Sequence, residues 1–189
     1  MARVVYMQSV SLDGFVETPD HEIDWTAPSP ELERVLLEDV KNVSVFLHGR
    51  RTYDLMASVW PTADASPGAS PFVAAFAPVW RDTPKVVFSR SARDVAWNSR
   101  LVTTDAARAV AALKAEHGGE MWLGGPDLAA TFVPLGLIDE YRVNLRPFVL
   151  GAGTPYLPAM DRRVALRLIE PPRTFPDGGV MLRYAPLDA

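Results

Sequence analysis

A chain of 189 residues, 48% hydrophobic and 22% charged, has room for one core of ordinary size and not for two well-buried ones. Its formal net charge of -4, with no run of Lys or Arg longer than a pair, gives no electrostatic footprint for nucleic acid. The absence of cysteine removes disulfides, thiolate metal sites and cysteine nucleophiles together, and the three histidines, His21, His48 and His117, show no metal-ligand spacing.

No apolar run approaches the roughly 18 residues that span a bilayer, and Met1 to Tyr6 is too short an apolar stretch for a signal sequence. A cytoplasmic protein without a membrane partner is the expectation. Val4 to Val10 is short and β-rich, and the polar Ser11-Leu12-Asp13-Gly14 follows it, which predicts a first strand running into a loop. Thr18 to Pro30 holds three prolines and several acids and reads as irregular chain. A helix is predicted from Ser29: Ser29 is a good N-cap, Pro30 suits the first helical position, and Leu32, Val35, Leu36 and Val40 repeat at helical spacing. Val43 to Leu47 is an apolar run broken only by Ser44, and it fits a strand covered on both faces.

Residues 58–84 carry Pro61, Pro67, Pro71, Pro78 and Pro84 and predict a long loop with one short helix near Phe72 to Phe76. Lys85 to Phe88 is a further strand. Asp105 to His117 has helical spacing and is stopped by Gly118-Gly119. Met121 to Leu123 reads as a buried strand, followed by Gly124-Gly125-Pro126 and a helix through Leu128, Phe132 and Leu135. Glu140 to Leu150, Ala165 to Glu170 and Val180 to Tyr184 predict strands, with Pro176-Asp177-Gly178-Gly179 as a hairpin turn. The alternating first part and strand-rich tail predict a single α/β domain over 1–189. Its mixed, mostly parallel central sheet has helices on both faces and a C-terminal antiparallel hairpin.

Three predicted strand ends lead into residues suited to phosphate. Gly49-Arg50-Arg51-Thr52 places a glycine, two guanidinium groups and a hydroxyl at a helix start, where N–H groups face an anion. Ser89-Arg90-Ser91 suits an adenosine 2′-phosphate, which arginine grips through paired hydrogen bonds. Gly124-Gly125 lets backbone approach a pyrophosphate, although the G-x-G-x-x-G spacing is absent. Each turn taken alone is equally an ordinary capped turn or polar strand exit. Three together favour a shared ligand, because ligands of open α/β sheets gather at the carboxyl ends of strands.

Six blocks occur in order along nearly the whole chain: Ser11-Leu12-Asp13-Gly14-Phe15, Gly49-Arg50-Arg51-Thr52-Tyr53, Val87-Phe88-Ser89-Arg90, Gly124-Gly125-Pro126, Leu137-Ile138-Asp139-Glu140-Tyr141, and Pro147 to Gly153. The set resembles the dihydrofolate reductase superfamily, especially its branch related to the reductase (RibD C-terminal) domain of riboflavin biosynthesis. The resemblance implies a three-layer dihydrofolate-reductase-like domain with NADPH as hydride donor. It implies Gly49, Arg50, Arg51 and Thr52 at the cofactor phosphates, and Ser89 and Arg90 at the 2′-phosphate. Gly124, Gly125, Pro126 and Leu128 would lie around the pyrophosphate, with a cis peptide between the two glycines. The loop from Leu12 to Val16 is expected as a lid beside the nicotinamide.

A small pteridine- or aminopyrimidine-like substrate is expected against Leu12, Phe15, Trp25 and Asn144. Phe15, Trp25 and Trp60 are candidates to sandwich a flat ring, or else core residues. Asp13 and Glu33 are the candidate proton donors. Asp13 before Gly14 is equally a turn-maker, and Glu33 among Glu31, Glu38 and Asp39 is equally part of a solvated helix face. The family's deaminase domain uses zinc-binding cysteines, which are missing, so a stand-alone reductase without metal is expected. A homodimer through Pro147 to Leu157 is a further expectation. Two alternatives stand beside this function: a reductase of another carbonyl or heterocycle, and a non-catalytic nucleotide-binding protein of the same fold.

Overall fold

The computed structural model describes residues 1–91 and 94–187. Its centre is β1 (Arg3–Val10), whose Val4, Val5 and Tyr6 are all fully buried, so both faces of the strand are covered. A short β2 (Phe15–Glu17) follows, and then α1 (Pro30–Asp39). The expected cap is present: the Ser29 side chain accepts a hydrogen bond from the Leu32 N–H, and Pro30 opens the helix. Next come β3 (Val43–Gly49), α2 (Arg50–Val59), a 3-10 stretch at Trp60–Ala65, and α3 (Pro71–Asp82).

The chain continues through β4 (Lys85–Phe88), β5 (Ser99–Val102), α4 (Ala106–Glu116), β6 (Glu120–Gly124) and α5 (Pro126–Phe132). It closes with β7 (Glu140–Leu145), β8 (Thr154–Pro155), β9 (Leu166–Leu168), β10 (Arg173–Thr174) and β11 (Val180–Pro186). Strands β7, β1, β6, β3, β4 and β5 lie side by side and parallel; β11 joins β7 antiparallel, and β9 and β10 both pair with β11. A separate two-stranded ladder joins β2 to β8.

Helices cover both faces. On one, Val4, Tyr6, Leu47 and Leu123 pack with Leu113 of α4 and Phe132 of α5. On the other, Val5, Phe46 and Trp122 pack with Val40, Phe76 and Trp80 beneath α1 and α3. Asp139 clamps the start of β7: its Oδ2 accepts from the Val4 N–H at 2.7 Å, and Lys114 of α4 donates to Oδ1 at 2.8 Å. The fully buried Arg142 donates to Glu140, Glu120 and Asp39. Arg183 also reaches Asp39, which stitches α1 to β7 and β11.

Several expectations are corrected. The proline-rich segment is not a loop with one short helix. Ser70 caps α3 through the Val73 N–H, Pro71 takes its first position, and the helix runs twelve residues through Pro78. An interior proline costs about 3 kcal/mol, and burial of Phe76, Ala77 and Trp80 on that helix offsets it. The cation of Lys85 supports the other end, donating to the carbonyls of Trp80, Arg81 and Thr83. Strand β5, set off by Trp97 and Asn98 at positive φ, was not anticipated. Strand β7 stops at Leu145, before Pro147, and α5 stops at Phe132. No cis peptide bond occurs among the described residues, so the Gly124–Gly125 bond is trans. No helix among them is long and apolar enough to cross a membrane.

Candidate active site

Two cavities open at the carboxyl ends of the parallel strands. The first, about 310 Å³, has a floor of Met7, Phe46 and Trp122 from β1, β3 and β6. Its walls include Leu36 of α1, Met56 of α2 and an aromatic group from the proline-rich segment. In that group Trp60 meets Phe76 edge-on at 4.5 Å, and Phe72 stacks on Phe76 at 5.7 Å.

His48 follows Phe46 on the same face of β3, and their rings are nearly parallel, 5.9 Å apart. It lines the cavity, it is 3% exposed, and neither ring nitrogen has a hydrogen-bond partner. Burial, with the nearby Lys85 charge, pushes its pKa down to about 3, so the ring is neutral. Stranding a buried polar atom costs about 1–3 kcal/mol, which makes this pair the least explained polar group in the sheet.

Beside His48 lies the glycine turn. A Cβ on Gly124 would come 2.9 Å from His48 Nδ1, so only glycine leaves the ring its place. Gly125 has φ 93° and ψ 136°, and a Cβ there would fall 2.0 Å from Thr52 Oγ1. The hydroxyl of Thr52 and the glycine backbone are therefore in close contact.

The second cavity is an open groove of about 590 Å³, lined by Gly49, Arg50, Ser89, Arg90 and Leu128, with Thr103, Thr104 and Thr131. Gly49 is the N-cap of α2 and has no side chain to give, so the first N–H groups of that helix have no capping side chain. Arg50 is anchored to Asp54 and to the Asp94 carbonyl. The Tyr53 hydroxyl both donates to the Ala96 carbonyl and accepts from the Ala96 N–H, fixing the segment that leads into β5.

Arg51 lines both cavities. It donates to Glu17 of β2 at 2.8 and 3.0 Å and to Asp127 of α5 at 3.0 Å. Glu17 also accepts from Thr154 of β8 and faces His21. Burial pushes the Glu17 carboxyl up, but the hydrogen bonds from Arg51, Thr154 and His21 outweigh it and bring the pKa to about 2. This clasp ties the β2–β8 ladder to the starts of α2 and α5.

The residues expected at a cofactor thus come together around these two cavities. Arg51, Thr52, Gly124, Gly125 and Pro126 lie on the first, and Gly49, Arg50, Arg51, Ser89, Arg90 and Leu128 on the second. The residues expected at the substrate do not. Asp13 accepts from Ser11 Oγ and from the N–H groups of Leu150 and Gly151, a clasp between two loops that holds its carboxyl below the usual range. Leu12 is 64% exposed, Phe15 pairs with Pro155 in the ladder, and Trp25 packs on Phe148. Asn144 is buried on β7 between Ser9 and Met181. Glu33 lies on α1 one turn before Leu36, and neither it nor Asn144 lines the cavity.

His48, Gln8, Glu17, Thr103 and Thr104 line these cavities and were missed. The one signal for His48 was a histidine closing an apolar strand directly before a phosphate-type turn. The described residues contain no His, Asp and Glu group that could hold a metal ion.

This mixed, mostly parallel sheet with helices on both faces superposes on dihydrofolate reductase and related structures, which makes the fold a dihydrofolate-reductase-like α/β domain. Within that class the chain belongs to the RibD C-terminal domain family, whose model matches residues 2–173. It is 30% identical over 186 residues to YyaP of Bacillus subtilis (strain 168), an uncharacterised protein, across 96% of this chain and 94% of that one. A Shewanella sp. PV-4 structure, named for a presumed role in riboflavin biosynthesis, superposes over the full length of both chains with a TM-score of 0.77 at 22% identity. Dihydrofolate reductase from Enterococcus faecalis, solved with NADP(H) and RAB-propyl, superposes over 98% of this chain and 97% of its own with a TM-score of 0.65 at 13% identity.

Proposed function

We propose that the protein is an NADPH-dependent reductase that delivers a hydride to a C=N or C=O bond of a small ring seated in the 310 Å³ cavity. One observation carries this: a basic, hydroxyl-lined groove and an apolar cavity meet at Arg51 and the Gly124–Gly125 turn, on the carboxyl ends of neighbouring strands. The Enterococcus faecalis enzyme of the same fold binds NADP(H).

The residues present fit that cofactor. The uncapped start of α2 suits a phosphate, the Thr52 hydroxyl packed against Gly125 is a further donor at that helix start, and Arg90 with Thr103 and Thr104 suits a 2′-phosphate. When bound, NADPH supplies the hydride from its nicotinamide ring. The chain's part is orientation and exclusion of water: the aromatic walls keep the reacting ring in an apolar setting. Glu17 is the one acid on the cavity wall among the described residues, and Arg51 keeps it ionised. The proton that completes the reduction therefore arrives from solvent rather than from a wall carboxyl.

Titration with NADPH and with NADH, followed by tryptophan fluorescence, tests the proposal. Loss of a charge-assisted contact to the 2′-phosphate is worth about 1.5–3 kcal/mol, so Arg90→Ala should weaken NADPH roughly 10- to 100-fold and leave NADH unchanged. No binding of either nucleotide at millimolar concentration would overturn the reductase. Binding without turnover of any ring substrate would leave a nucleotide-binding protein of the same fold.

A further inference from the structure

We infer that Asp127 is a built-in competitor for the cofactor's phosphate: its carboxylate holds one edge of Arg51 at the start of α2, an arriving phosphate displaces it, and its charge keeps nucleotide binding weak. The inference rests on the cofactor reading above and adds the residue that opposes it.

The place of Asp127 follows from how two helices meet. A Cβ on Gly49, the N-cap of α2, would lie 3.5 Å from the Cβ of Leu128 and 3.8 Å from its backbone nitrogen, so the starts of α2 and α5 abut. Asp127 precedes Leu128 and is carried to the start of α2, where the groove offers N–H groups without a capping side chain. Its Oδ2 accepts from Arg51 Nε at 3.0 Å, and it lines the same groove as Gly49, Arg50 and Arg51. As an acid in the first turn of α5 it suits its own helix. Towards a phosphate on α2 it is a like charge.

The Arg51 guanidinium is engaged along both of its edges. Nη1 and Nη2 donate to the two oxygens of Glu17 at 3.0 and 2.8 Å, while Nε donates to Asp127. The three side chains together carry a formal charge of one negative unit, so a phosphate approaching this arginine meets a net anion.

Burial decides which partner gives way. The Glu17 side chain is 9% exposed, is gripped at both oxygens, and also accepts from Thr154 at 2.6 Å. Taking Arg51 from it would strand a buried carboxylate, which is costly. The Asp127 side chain is 58% exposed and holds Arg51 through its Nε alone, so it turns into water at little cost. Arg51 therefore keeps Glu17 and exchanges Asp127 for a phosphate oxygen. The released carboxylate stays on the rim of the groove and repels the ligand that displaced it.

The test is fluorescence titration of the intact protein with NADPH and with NADH, comparing wild type, Asp127→Asn, Asp127→Glu and Glu116→Gln. Glu116→Gln removes the same charge from the exposed far end of α4, outside the groove. Removing one like charge near a surface phosphate corresponds to about three- to tenfold in affinity, so Asp127→Asn should tighten both nucleotides by that factor. Asp127→Glu and Glu116→Gln should stay within about twofold of wild type, and the gain should fade at about 1 M salt, where such charges are screened. Urea midpoints report whether each variant keeps its fold. Unchanged or weaker binding in Asp127→Asn would show that the carboxylate positions Arg51 rather than competes for it, which overturns the inference and leaves the reductase standing. A gain confined to NADPH, or an equal gain in Glu116→Gln, would overturn it as well. Failure of wild type and Asp127→Asn to bind either nucleotide would overturn both readings.

Discussion

Alanine at Gly125 should be far more damaging than alanine at Gly14, although the two glycines have almost the same φ, 93° and 94°. A side chain at positive φ is strained by about 1–3 kcal/mol at either site. At Gly14 nothing lies within 4 Å of the added Cβ, so strain is the whole cost. At Gly125 the Cβ would lie 2.0 Å from Thr52 Oγ1 and 3.1 Å from Thr52 Cβ. Thr52 is β-branched and on a helix, so χ1 rotation is restricted and the crowding must be relieved by moving backbone. Overpacking of this kind adds about 1–3 kcal/mol. The difference should appear in urea unfolding as a lower midpoint at unchanged m, and in heating as a Tm lower by about 2–4 °C for each kcal/mol. Thr52→Ala in the Gly125→Ala background should recover most of the excess, a coupling that independent sites do not show. Equal destabilisation by the two glycine substitutions, or strict additivity with Thr52→Ala, would refute the packing argument for this turn.

Two further outcomes are expected. The pKa of His48 is lowered in the fold to about 3, so below its unfolded value near 6.5 the unfolded chain binds the extra proton and stability falls as pH drops from about 6.5 towards 3. Between pH 7 and pH 5 the loss should be about 2 kcal/mol; paired denaturation curves should show it in wild type and not in His48→Gln, and a matching loss in the variant would assign it elsewhere. Arg142→Met should cost about 3–5 kcal/mol, because Glu120 and Glu140 stay buried, lose their buried cation and keep only the half-exposed Arg3; a cost below about 1 kcal/mol in urea unfolding would contradict this account of the network.

What could be read in the residues beforehand was chiefly local. Ser29-Pro30 announces α1 because a cap and a first-turn proline act within one turn, and Gly49-Arg50-Arg51-Thr52 announces the start of α2 for the same reason. Helix α3 was hidden because Pro78 argues against a helix locally, and only burial of Trp80 and Phe76 beneath it outweighs that local preference. Asp13 was a fair candidate as an acid next to glycine, but its partners at Leu150 and Gly151 come from a loop about 137 residues away, and no local pattern reports such a contact. His48 escaped notice for a related reason. A histidine gains meaning from what fails to pair with it, and that depends on Gly124 and the aromatic wall, which arrive from distant parts of the chain.

The division of labour between strand ends and the 60–82 segment bears on how such a protein changes over time. The groove with Arg50, Ser89 and Arg90 is built on residues fixed by the parallel sheet, whereas Trp60, Phe72 and Phe76 hang on a piece outside the sheet, held to itself by the Arg81–Asp64 ion pair and stiffened by its prolines. Mutations in that piece can reshape one wall of the cavity without moving a strand. Descendants of one ancestor can therefore diverge in the molecules they accept while inheriting the same groove intact.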